Sequence, residues 1–123
     1  MRIALAFLMT LHGVAHLVSF IEAWRLIPEA GFPYKTTIFA GRVDLGDAGT
    51  RAFGMIWLVV AVAFMLAAAG AVVDATWWTP LALGVAASSL ILSSVELPQA
   101  RPGLAINLAI IATLLVGGRY GLT

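Results

Sequence analysis

The residues FGMIWLVVAVAFMLAAAGAVV occupy positions 53–73, contain no charged side chain and are followed by Asp74. About 20 consecutive, mostly apolar residues are enough for a helix to cross the roughly 30 Å of hydrocarbon in a bilayer. This stretch therefore predicts a transmembrane helix.

Three further apolar runs accompany this stretch, and short turns connect the last three runs. The predicted spans are residues 3–22, 53–73, 77–95 and 103–118, with one long loop over residues 23–52. Short connections force neighbouring helices to run antiparallel. The sequence thus predicts an all-α fold, a transmembrane four-helix antiparallel bundle of up-down-up-down topology, in a single integral membrane domain of residues 1–123.

The composition supports a membrane protein and excludes several function classes. Hydrophobic residues make up 62% of the chain and charged residues 11%, against about a half and a quarter in soluble domains. The net charge of +1 and the scattered basic residues argue against a nucleic-acid partner. With no cysteine, disulfides, thiolate metal sites, iron–sulfur clusters and covalent c-type haem are excluded. The lipid bilayer is the predicted partner.

Basic residues are distributed unevenly between the two ends of the predicted bundle. The long loop and the turn at residues 98–102 carry Arg25, Lys35, Arg42, Arg51 and Arg101, and the opposite end carries Arg2 and Arg119. Basic residues favour the cytoplasmic side, so both termini are predicted to lie outside the cytoplasm. Six arginines against one lysine, with many Ala, Gly and Val residues, favour a bacterial source, and hence the bacterial cytoplasmic membrane.

The long loop combines charges with apolar side chains. Loops longer than about 12 to 15 residues tend to be functional or disordered. Phe32, Tyr34, Ile38 and Phe39 predict that part of this loop rests on the membrane surface as a lid or an interfacial cap.

Two histidines lie within the first predicted span, in the sequence LHGVAHL at residues 11–17. Polar groups at that depth are unfavourable unless they are paired or face a cavity. His12 and His16 share one helical face because they are four residues apart, and Ser19 continues that face.

Counting inward from the loop side at equal rise predicts which residues share a depth with these histidines. His16 comes level with Trp57, Ser89 and Asn107, and His12 lies one turn deeper beside Gly84. The sequence therefore predicts a ligand pocket formed by His12, His16, Ser19, Trp57, Ser89 and Asn107.

Several chemistries fit this predicted pocket. His16 and Asn107 can simply hydrogen-bond between helices and fix the packing. A metal can bind two imidazoles at this spacing, with Glu96 as a further ligand. Zinc proteolysis is disfavoured because Gly13 replaces the glutamate of the H-E-x-x-H motif. Haem is disfavoured as a two-histidine site, since two imidazoles on one helical face cannot both be axial ligands of one iron.

Three functions follow from these chemistries. The first is an accessory or binding subunit whose intramembrane polar pocket around His16 and Asn107 takes a lipid-like ligand, a metal or a partner. The second is a membrane redox enzyme or subunit that uses His12 and His16 at a metal, a haem or a quinone stacked on Trp57. The third is a homo-oligomeric proton-coupled transporter, for which a carboxylate in mid-membrane is missing. The small extramembrane mass predicts a homo-oligomer or a subunit of a larger membrane complex.

Four motifs together resemble a group of small bacterial four-span membrane proteins. They are Leu-His-Gly-x-x-His-Leu at 11–17, Phe-Gly-x-x-Trp-Leu at 53–58, Trp-Trp-x-Pro-Leu at 77–81 and Pro-x-Ala-x-x-Gly-Leu-x-Ile-Asn-Leu at 98–108. The layout is loosely similar to that of DoxX-like proteins. The resemblance implies that His12, His16, Trp57 and Asn107 are recurrent positions, and it implies no particular activity.

Overall fold

The computed structural model describes residues 1–28, 31, 33–97 and 100–121. These residues form four α-helices: α1 at Arg2–Trp24, α2 at Gly46–Val72, α3 at Trp78–Val95 and α4 at Arg101–Arg119. All four are long and apolar enough to cross a membrane. The predicted all-α fold of four spanning helices is confirmed.

The helices pack in chain order, α1 on α2, α2 on α3 and α3 on α4. The short connections make α3 antiparallel to α2 and α4 antiparallel to α3. α1 is antiparallel to α2 because Arg2 contacts Val72 at the end of α2 and Trp24 contacts Arg51 near its start, which gives the predicted up-down-up-down topology. By contrast, α1 approaches α4 at few points. The bundle is therefore tightly closed along α1 and α2 and looser between α1 and α4.

One predicted boundary, between the loop and the second span, differs from the structure by more than two residues. α2 begins at Gly46 rather than at residue 53, so its first turns project beyond the apolar stretch and the loop is shorter than 23–52. Gly46 has a φ of 67°, a conformation that glycine adopts without steric penalty. Asp47 lies in the first turn, where a carboxylate interacts favourably with the helix dipole. Local helix signals thus extend this helix into the polar region.

A small β-hairpin lies within the loop and was not predicted. Strand β1, Thr37–Ile38, pairs antiparallel with β2, Val43–Asp44. The backbone N–H of Phe39, in the turn, donates to the carbonyl of Val95 at 3.0 Å, which ties the hairpin to the end of α3. Strands of two residues are too short to produce a periodic signal in the sequence. Phe32, part of the predicted cap, lies outside the described residues.

The tightest helix contact is between α1 and α2 at Gly13. A Cβ atom at this position would lie 3.1 Å from the carbonyl oxygen of Ala61 and 3.2 Å from Cβ of Phe64. Small residues at helix interfaces let backbones approach closely where no hydrophobic effect drives association. Gly13 therefore brings the histidine-bearing face of α1 against α2.

Candidate functional site

A cavity of about 640 Å³ lies within the bundle at the end covered by the loop. This volume falls within the range of roughly 300 to 1,000 Å³ that is typical of small-molecule sites. It is lined by His12, Ala15, His16, Ser19, Glu22 and Ala23 of α1, by Thr50, Phe53 and Trp57 of α2, by Ser93, Glu96, Ala100, Pro102, Gly103 and Ile106 on α3, α4 and their connection, and by residues 33–38 and Leu45 of the loop.

The cavity extends from the loop to the middle of α1. Glu22 lies near its mouth and His12 at its inner end. The two residues are separated by about 15 Å along the helix axis at 1.5 Å per residue. The cavity therefore reaches about half the thickness of a bilayer, with charged groups at the loop end and imidazoles at the deep end.

A buried hydrogen-bond network connects the two imidazoles through α3 and α4. Nε2 of His12 and Oδ1 of Asn107 are 3.0 Å apart, and Nδ2 of Asn107 donates to Oγ of Ser89 at 2.8 Å. Oγ of Ser89 is hydrogen-bonded in turn to Nε2 of His16. Asn107 and Ser89 are fully buried. Each imidazole thus has a polar partner on a neighbouring helix, as a polar group at this depth requires.

The predicted pocket residues divide into two sets. His12, His16, Ser19 and Trp57 line the cavity. Ser89 and Asn107 lie behind the imidazoles and bond to them. The structure therefore brings together the predicted residues, with the imidazoles in front and the amide and hydroxyl as their support.

Two details of the predicted layer are wrong. Asn107 bonds to His12 rather than to His16. Gly84 does not lie beside His12, because a Cβ at Gly84 would have no neighbour within 4 Å. The equal-rise count treats the helices as parallel rods, whereas packed helices cross at an angle. Side chains counted at equal depth are therefore displaced from one another.

Aromatic rings fix the orientation of both imidazoles. The ring centroids of His16 and Trp57 are 4.7 Å apart at an interplanar angle of 69°, and those of His12 and Phe64 are 5.0 Å apart at 70°. Edge-to-face arrangements of this kind are favourable. Phe64 was not predicted as a site residue, although it lies seven residues after Trp57 and hence on the same helical face.

Gly103 and Thr50 are two further site residues that the sequence did not reveal. A Cβ at Gly103 would lie 3.8 Å from Cε1 of His12 and 3.2 Å from Oγ of Ser93, so the missing side chain leaves space beside the imidazole. Thr50 is 6% exposed and its Oγ1 is the one buried side-chain N or O atom without a hydrogen-bond partner in the described part of the chain. A lone glycine and a lone threonine carry no distinctive sequence signal.

The predicted metal ligands are not brought into one set. Glu96 lies at the mouth of the cavity, where its carboxylate is 3.9 Å from Nζ of Lys35. Among residues 1–28, 31, 33–97 and 100–121, no group of three His, Cys, Asp or Glu side chains is placed to hold a metal ion. His12 and His16 alone fall short of the three or four protein ligands of typical zinc sites.

Neutralising Glu96 is expected to raise stability at neutral pH. Burial raises the pKa of this carboxyl, and the Lys35 ammonium lowers it by less. The folded protein therefore keeps this proton to higher pH than the unfolded chain does. The contribution of Glu96 to stability is greatest at low pH and is lost as the pH rises from the ordinary value of 4.5 through the raised pKa. Glu96→Gln should remove that loss.

Thermal unfolding in detergent micelles, from acidic to neutral pH, measures this effect. The matched control is Asp74→Asn, which neutralises an exposed carboxylate beside Arg2 at the other end of the bundle. If Glu96→Gln lowers the Tm at neutral pH, the Lys35 ion pair outweighs the burial of the carboxylate and the expectation is wrong.

The fold and the site together define a helical membrane protein with a histidine-lined cavity that opens at the loop end. Comparisons with protein-family models, curated proteins and solved structures find no match. The similarity in layout to DoxX-like proteins stays a prediction.

Proposed function

We propose that this protein binds a lipid-like molecule inside the membrane. The observation that carries the proposal is the cavity of about 640 Å³ that runs from the loop to the buried imidazoles of His12 and His16. Apolar and aromatic walls with a few convergent polar groups are the usual composition of small-molecule sites. An amphiphile with a compact polar head group and an apolar body matches this arrangement.

The unpaired hydroxyl of Thr50 supports an occupant as well. It is buried among the residues that line the mouth of the cavity. A buried hydroxyl without a hydrogen bond is unfavourable by about 1 to 3 kcal/mol, and a bound molecule with a polar group would supply a partner. The sparse contact between α1 and α4 offers such a molecule a lateral route from the bilayer.

The hydrogen-bond network favours binding over proton transfer. Within the buried network, a relay between His12 and His16 would pass through the carboxamide of Asn107. An amide has fixed donor and acceptor atoms, so it cannot hand on a proton without an unfavourable tautomer. The network is therefore suited to orienting the imidazoles. A redox role at a bound quinone is the alternative for the same cavity, and the comparison of head groups below tests its oxidised form, whose oxygens only accept hydrogen bonds.

Filling the cavity beside His12 is expected to weaken ligand binding by about tenfold or more. In Gly103→Val the added methyl groups occupy space next to the imidazole and crowd Oγ of Ser93. The matched control is Gly118→Val on the same helix, because a Cβ at Gly118 would have no neighbour within 4 Å. Calorimetric titration of farnesol into the purified protein in micelles, with mass spectrometry of copurified lipids, provides the measurement. Equal binding by both variants would contradict a ligand in this cavity.

We further propose that the protein resides in the bacterial cytoplasmic membrane with both termini outside the cytoplasm. The support is the excess of basic residues in the loop and in residues 98–102 over the opposite end. Alkaline phosphatase fused after Thr123 is expected to be active and a fluorescent protein at the same site to be dark. Reporters inserted at Gly41 should give the reverse pattern. Fluorescence at Thr123 would show the opposite orientation.

Association with other subunits is part of the same proposal. The chain has little mass outside its helices, and its lipid-facing surface is available to neighbours. The mass of the protein extracted in a mild detergent distinguishes a homo-oligomer, a subunit of a larger complex and a monomer, and a monomer would contradict the proposal.

A further inference from the structure

The hydrogen bonds give the two imidazoles opposite tautomers. Oδ1 of Asn107 can only accept, so Nε2 of His12 carries the proton and Nδ1 of His12 is an acceptor. Nδ2 of Asn107 donates to Ser89, which leaves the hydroxyl proton of Ser89 for Nε2 of His16. A neutral His16 then carries its proton on Nδ1, which is a donor.

The hydroxyl of Ser89 is directed to side chains rather than to its own helix. The hydroxyls of Ser88 and Ser94 donate to the carbonyls four residues earlier. Ser89 instead bonds to His16 and Asn107. Its single proton is therefore donated within the network. Each hydrogen bond, from His12 through Asn107 and Ser89 to His16, is donated in the same direction.

The opposition of the tautomers does not depend on the orientation of the Asn107 amide. Rotating the carboxamide by half a turn exchanges its donor and acceptor, and every hydrogen bond in the network reverses with it. His12 then presents N–H at Nδ1 and His16 presents a lone pair. In both arrangements one Nδ1 atom donates and the other accepts.

Both Nδ1 atoms are available to a molecule in the cavity. His12 and His16 line it, and their ring centroids are 4.4 Å apart. Within the described ranges, Oγ1 of Thr50 is the one side-chain N or O atom that is both buried and without a hydrogen bond. Neither Nδ1 atom is therefore both buried and unpaired. The vacant side-chain position at Gly103 faces Cε1 of His12, the carbon between Nδ1 and Nε2.

Resting on the proposed function, we infer that the bound lipid carries a hydroxyl head group, an alcohol or a phenol, which bonds to Nδ1 of both His12 and His16. A hydroxyl donates one hydrogen bond and accepts another, which matches one accepting and one donating nitrogen. A carbonyl or an ether oxygen accepts only. Such a head group leaves one imidazole nitrogen buried and unpaired.

Three probes with the same apolar chain test this inference: farnesol, farnesyl methyl ether and farnesal. Titration into the purified protein in micelles is expected to show farnesol binding about tenfold or more tightly than the other two, because each of these leaves a buried acceptor without a donor. Equal affinities for all three would overturn the head-group inference and leave cavity binding intact. If no probe binds, and no copurified lipid is lost in Gly103→Val, the proposed function fails instead.

The variant Ser89→Ala tests the tautomers themselves. Without the Ser89 hydroxyl, Asn107 can reverse, which moves the proton of His12 to Nδ1, while His16 keeps its proton on Nδ1. Both Nδ1 atoms can then donate to an aldehyde oxygen. The preference for farnesol over farnesal is expected to fall to about threefold or less. Ser88→Ala, which removes an exposed hydroxyl bonded to its own helix, should keep the full preference. A purely structural role of Ser89 would weaken all probes alike, and that result, or an unchanged preference in Ser89→Ala, would overturn the inference.

Discussion

Gly13→Leu is expected to lower the free energy of unfolding by about 3 kcal/mol or more. Even a Cβ at Gly13 would lie 3.1 Å from the carbonyl oxygen of Ala61, and a helix backbone cannot move without moving the whole segment. The leucine would therefore push α1 away from α2. Since His12 and His16 lie on the same part of α1, the edge-to-face contacts with Phe64 and Trp57 would be lost too.

Gly84→Leu is the matched control for this substitution. Gly84 is exposed, and a Cβ there would have no neighbour within 4 Å. The same change of residue should leave stability within about 0.5 kcal/mol, apart from a small gain in helix propensity. Denaturant-induced unfolding in mixed micelles gives both values. Similar losses in the two variants would mean that α1 and α2 do not approach one another as closely as Gly13 allows.

Asn107→Leu is expected to lower stability by roughly 2 to 4 kcal/mol and to abolish the selectivity for head groups. Leucine fills nearly the same volume, but it leaves Nε2 of His12 without its partner and removes one of the two hydrogen bonds of Ser89 Oγ, which keeps the bond to His16. In hydrocarbon neither atom can turn to water instead. The effect should appear both in unfolding and in the ratio of farnesol to farnesal affinity.

Thr113→Val provides a control on the same helix. The Thr113 hydroxyl donates to the carbonyl of Ala109 within α4, so its loss should change stability by less than about 0.5 kcal/mol. If Asn107→Leu is as stable as this control, the network contributes little to stability. Such a small contribution is common for hydrogen bonds between membrane helices. In that case the orientation of the imidazoles rests on the aromatic contacts of Trp57 and Phe64.

The cavity could be predicted only in part. The i, i+4 spacing of His12 and His16 determines that both share a helical face, and the cost of polar groups in hydrocarbon determines that this face turns inward. The depth count also selected Asn107 and Ser89, because their distance from the ends of short spans is nearly fixed. Gly103 and Thr50 were missed because their importance comes from what they lack, a side chain in one and a partner in the other.

The sequence by itself determined the four spanning helices and their antiparallel order. The hydrocarbon thickness sets only the length of each span, and uncharged runs joined by turns meet that requirement. The tertiary structure alone decided that Asn107 meets His12, that Ser89 meets His16, and that the hairpin at 37–44 joins α3 above an open cavity. These contacts depend on the crossing and rotation of whole helices, which close approaches such as that at Gly13 fix. No local pattern of residues encodes that geometry.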